Sequence, residues 1–259
     1  MHGFKFKLGI LVFLFGIGVI CLTGCTDSEK ELLDEKISSE LKFIETNLFD
    51  VVYKYASREY EEDILNDEVV TKITELTENK ITIDSTVLEM KVIDFDKVGE
   101  DVKKINNSLD VLLIDLTEKN LDKTLITDIS QDINNLIVNV SQNNINVILR
   151  DINEIEKSII NNIDKLSIKE SEKKIKKVKS DVLNVFVNCM IYEDKTSSKE
   201  IINNLIDKYQ EYLNDQEFVS DNKYLVNNIY VLLQELKTAV ELENNELIKV
   251  KYLNLIEIL

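Results

Sequence analysis

The sequence predicts an all-α protein, an antiparallel helical bundle. Three observations predict it: apolar residues recur at steps of three and four along most of the chain; proline is absent, and Gly99 is the one glycine after residue 24; and the connections between apolar rows are only a few residues long. Steps of three and four place apolar side chains on one face of a helix. Short connections force neighbouring helices to run antiparallel, and rows spaced near 3.5 residues favour shallow crossing angles.

The rows place the elements in order. Leu33, Ile37, Leu41, Ile44, Leu48, Val51 and Tyr55 predict a first helix of about 30 residues. Val98, Val102, Ile105, Leu109, Leu112 and Leu116 mark the next strong row, and Ile126, Ile129, Ile133, Leu136 and Val140 follow. Ile145, Ile148, Ile152, Ile155, Ile159, Ile163 and Leu166 mark another, and Ile175, Val178, Val182, Val185 and Cys189 the one after it. Ile202, Leu205, Tyr209 and Tyr212 precede Leu225, Ile229, Leu232, Leu236 and Val240, and a last helix runs from near Asn245 to the C-terminus. Ser28 with Glu31, Ser167 with Glu170 and Ser197 with Glu200 read as capping boxes, in which a hydroxyl and a carboxylate satisfy free N–H groups of the first turn. Asp96, Asp122 and Asn244 read as simpler caps.

Residues 81–93 break the period, mixing β-branched residues with partial alternation. They read as a linker between an N-terminal helical hairpin (28–80) and a C-terminal bundle (94–259). A stacked array of helical pairs is the alternative architecture, although no 34-residue tetratricopeptide signature is present.

The N-terminus has a different logic. Lys5 and Lys7 precede an uncharged apolar run, Leu8–Leu22, of 15 residues. A bilayer core takes about 20 helical residues to cross, so this run fits the central region of a secretory signal. Leu22-Thr23-Gly24-Cys25 then resembles the lipobox of bacterial lipoproteins, in which a branched apolar residue and two small ones precede a cysteine. The resemblance implies a signal peptide over 1–24, with Leu22, Thr23 and Gly24 read by the signal peptidase. Cys25 is then lipidated through a thioether to diacylglycerol, and two acyl chains suffice for stable anchoring. Residues 25–30 are a polar tether, and the expected location is the extracytoplasmic face of the cell membrane.

Removal of 1–24 leaves 235 residues with 29 basic and 48 acidic side chains, a net charge of −19. Such a surface repels phosphate backbones and anionic headgroups, which argues against nucleic acid as a partner and leaves the membrane work to the acyl chains. Cys189 becomes the one thiol besides Cys25, so no internal disulfide forms, and its place on an apolar row predicts a buried, inert group.

Candidate chemistry is sparse. The single histidine, His2, leaves with the signal, which removes histidine-based triads and histidine-ligated zinc or haem. Asp94, Asp96 and Gly99 match three positions of a calcium-binding loop, but Val98 and Ile105 stand where oxygen donors are needed. The acidic run Glu59, Glu61, Glu62 and Asp63 reads as a solvated face, and Tyr53, Tyr55 and Tyr60 as packing. No catalytic residue, metal ligand or cofactor is predicted beyond the covalent lipid on Cys25.

Asp101–Leu116 and Asp221–Leu259 resemble a family of lipoproteins from low-GC Gram-positive, clostridial-type bacteria. Members often carry Trp where this chain has Leu109, and prolines in a middle helix where it has none. The resemblance implies a lipoprotein with a helical body and implies no activity. The expected function is a non-catalytic module that contacts another envelope protein; a ligand- or cation-binding lipoprotein for uptake or sensing is the alternative.

Overall fold

A computed structural model of the chain describes residues 27–64, 95–118, 123–166 and 168–259. The capping serine proposed at 167, the cap at Asp122 and the linker over 81–93 lie outside them. The described residues form an all-α helical bundle of nine α-helices and one 3₁₀ turn. They are α1 (Asp27–Ile64), α2 (Phe95–Glu118), α3 (Lys123–Val140), α4 (Ile145–Asn161), α5 (Glu170–Met190), α6 (Lys195–Leu213), α7 (Gln216–Asp221), α8 (Val226–Glu241) and α9 (Asn245–Ile258). The 3₁₀ turn, Ile163–Lys165, carries the row of α4 onward to Leu166.

The predicted rows are largely buried, although Leu225, placed on the row of α8, is 38% exposed. Ile37, Leu41, Ile44, Leu48, Val51 and Tyr55 of α1 are buried, as are Val98, Val102, Ile105, Leu109 and Leu112 of α2. Val98 and Ile105, the two positions that break the calcium-loop pattern, point into the core, and Asp96 sits within the first turn of α2 rather than before it, where a carboxylate meets the positive helix end. Tyr53, read as packing, is instead 40% exposed.

Polar contacts fix the directions of the helices. Asn139 donates to Asp151 at 2.6 Å and Ser158 to Asp132 at 3.1 Å, which makes α3 and α4 an antiparallel hairpin. Lys208 to Asp181 pairs α6 with α5 in the same manner, and Lys251 to Glu235 pairs α9 with α8. The short α7 was not predicted. Asp215 caps it by accepting from the Glu217 and Phe218 amides, and the turn delivers Phe218 edge-on to Tyr209 with centroids 6.0 Å apart. Tyr209 is fully buried and donates its hydroxyl to the Val226 carbonyl at 3.0 Å, tying α6 to the start of α8.

The three hairpin turns share one construction. Asn143, Glu193 and Glu243 each adopt positive φ, 53°, 55° and 55°, and each precedes an Asn or Asp that caps the following helix. Asn144, Asp194 and Asn244 accept from the amide three residues on, so the cap of α6 is Asp194, and Ser197 is the donor in that turn rather than the cap. α5 likewise starts at Glu170 with Lys169 before it, two residues later than a cap at Ser167 requires. Left-handed backbone costs a non-glycine residue roughly 1–2 kcal/mol, against which glycine carries an unfolded-state entropy penalty of about 0.5–1 kcal/mol. Glu193→Gly is therefore expected to stabilise the fold by about 0.5–1 kcal/mol in chemical denaturation. Glu243→Gly will gain less, because Glu243 binds Lys195 and Lys199 of α6, each at 2.9 Å. Those two lysines hold its carboxyl down to about 2.

Candidate functional site

α5 is the hub of the bundle. It packs against α4, α6, α7 and α9, and its first half carries Lys173, Lys174, Lys176, Lys177 and Lys179, the densest basic run of an acidic chain. A charge run ordinarily marks a solvated face. Here the lysines fan out to different elements: Lys174 pairs with Asp215 before α7, Lys177 with Asp164 of the 3₁₀ turn, and Lys176 with Glu45 of α1. Lys179 lies 4.3 Å over the ring of Phe49, also of α1. Glu45 and Phe49 meet Lys176 and Lys179 in the same order, so α1 runs parallel to α5.

The Glu45–Lys176 pair is enclosed, with side chains 9% and 10% exposed. Behind it, α4 contributes Asn153 and Glu156, both fully buried, in the row beside Ile148, Ile152, Ile155 and Ile159. α9 contributes Tyr252, stacked on Phe186 of α5 with centroids 4.1 Å apart. Asn153 donates to Asn184 Oδ1 at 3.2 Å, and Asn188 donates to the same atom at 2.9 Å. Asn153 Oδ1, Glu156 Oε1 and the Tyr252 hydroxyl are buried without a hydrogen-bond partner. A partnerless buried polar group costs roughly 1–3 kcal/mol, so the protein carries a concentrated polar burden at the junction of α1, α4, α5 and α9.

Electrostatics single out Glu156. Burial, and after it the neighbouring Glu45 carboxylate, push its carboxyl up to about 8, while Lys179 and Lys176 oppose the shift. At pH 7 the group is mainly neutral. Burial also lowers Lys179, which Glu45 and Glu156 partly restore, and it holds the Tyr252 hydroxyl well above its ordinary range. The arrangement can take up and release a proton near neutrality. Lys176 and Lys179 already supply the positive charge that a bound cation would bring. Two carboxyls beside two lysines fall short of the six to eight oxygen ligands that calcium takes. Among the described residues, no three His, Cys, Asp or Glu side chains converge as a metal would require.

Elsewhere, Cys189 is buried and its thiol is pushed up by desolvation, so it is a packing group, as its row predicts. Asp132 and Asp151, at the α3–α4 seam, are raised by partial burial and bound by Ser158 and Asn139 respectively. The residues of the lipobox, Leu22, Thr23, Gly24 and Cys25, lie outside the described residues. The polar stretch from Asp27 to Lys30 is the first turn of α1. Comparison with known protein families, curated proteins and solved structures finds no match.

Sequence reasoning missed the α4–α5 cluster. Its one available signal was a pair of polar residues, Asn153 and Glu156, in a row flanked by Leu149 and Ile160.

Proposed function

We propose that the chain is a lipoprotein held on the extracytoplasmic face of the cell membrane by diacylglycerol on Cys25, and that its helical body binds another envelope protein. The observation that carries this reading is Leu22-Thr23-Gly24-Cys25 directly after a 15-residue apolar run. Two features of the fold support it. α1 begins at Asp27, so an anchor on Cys25 joins the helical body without a long tether. No helix among the described residues is long and apolar enough to cross a membrane.

The test is Cys25→Ser with a C-terminal tag, expressed in a bacterium that lipidates its lipoproteins. The parent chain is expected in the membrane fraction, labelled by an alkynyl fatty acid; the variant is expected to lose the label entirely and leave that fraction on washing. An unlabelled parent chain, or a variant that stays membrane-bound, would overturn the anchor. In-cell crosslinking then tests the module: one envelope protein enriched over an unrelated lipoprotein supports it, and no enrichment removes it.

A further inference from the structure

α1 is the first described element, and it is joined to the rest of the body by a single covalent connection, residues 65–94. It packs chiefly on α2 and also on α9 and α4, and its seat is partly polar. Beside the apolar stripe lie Glu45 against Lys176, Phe49 under Lys179, and Glu40 accepting from Ser108 of α2 at 2.6 Å. We propose that α1 is a detachable strap over the body formed by α2 to α9, and that ionisation of Glu156 beneath it loosens the strap.

The argument is one of burial. With α1 seated, Glu156 is enclosed by four helices and its ionised form faces the Glu45 carboxylate. With α1 lifted, water reaches the groove between α4, α5 and α9, Glu45 departs, and Lys176 and Lys179 remain as solvated counter-ions. The ionised carboxyl is then favoured. Binding one proton fewer in the lifted state means that each step of one in rising pH moves the balance toward lifting by up to about tenfold, until the seated group itself ionises near pH 8. The charged and titratable groups facing Glu156 are Glu45 from α1, Lys176 and Lys179 from α5, and Tyr252 from α9. On the α3 side, Asp132 of the seam is engaged by Ser158. The inference does not rest on the lipid anchor and stands or falls separately from it.

Hydrogen exchange read by mass spectrometry on the full-length chain, corrected for intrinsic rates, tests the strap at pH 6 and pH 8. Protection of α1 peptides is expected to fall by tenfold or more, while α5, α8 and α9 keep theirs. In Glu156→Gln the loss across α1 is expected to vanish. Equal losses in α1 and α8 would mean global opening and overturn the strap. Protection of α1 that is unchanged with pH in the parent chain would overturn it without any variant, and a variant retaining the parent's pH dependence would remove Glu156 from the device.

Discussion

At pH 8.5 the Glu156→Gln variant will melt on the order of 10 °C above the parent chain, and at pH 5 the two will melt together. The sign follows from the direction in which the carboxyl is displaced. The folded-state carboxyl is raised from 4.5 to about 8, so the folded state holds a proton that the unfolded state has released. The parent chain is therefore most favoured below pH 4.5 as far as this group is concerned, and loses stability as pH rises toward 8. A tenfold change in a protonation equilibrium is worth about 1.4 kcal/mol, and partial relaxation around a buried carboxyl brings the whole to the order of 4 kcal/mol. Glutamine keeps the shape and the donor of the neutral acid and cannot ionise, so its stability is level across the window. The background is quiet, because the region after residue 24 has no histidine and ordinary carboxylates are already ionised above pH 6. Melting curves by circular dichroism from pH 5 to 8.5 read the effect directly. Parallel curves for the two proteins would mean that Glu156 is solvated and that α1 does not seal the groove.

The contrast between α4 and α5 shows what could be read from the residues. On α4, Ile148, Ile152, Ile155 and Ile159 announce a buried face by spacing alone, and the structure buries all four. Asn153 and Glu156 occupy the adjoining row, which is interior only because α1 and α9 close over it from distant parts of the chain. Local periodicity has no means of recording that second layer of packing. On α5, Lys174, Lys176 and Lys177 find partners on other segments of the chain, at Asp215, Glu45 and Asp164, which the spacing of the lysines does not reveal. The turns show a finer limit. A serine three residues before a glutamate satisfies the capping-box pattern at Ser197, but Glu193 in left-handed backbone redirects the chain so that Asp194 meets the free amides first. α7 escaped because six residues are too few to show a period; its place is decided by where Phe218 must go to reach Tyr209.

Removing Lys176 alone is expected to be the most damaging single change in this junction. Lys176→Met keeps the stem that packs between α1 and α5 but leaves the Glu45 carboxylate enclosed, beside Glu156, without its counter-ion. Breaking a buried pair from one side costs about 3–5 kcal/mol, whereas replacing both members by apolar groups of similar size is often neutral or better. Lys176→Met is therefore expected to lose about 3 kcal/mol at pH 8, and Glu45→Met with Lys176→Met to return close to the parent chain. The double-mutant cycle isolates a coupling on the order of 3 kcal/mol, since the two side chains touch. Retention of the full loss in the double variant would assign it to packing of the lysine stem. A cost below about 0.5 kcal/mol would place the pair among solvent-screened surface contacts and leave α1 held by its apolar stripe alone.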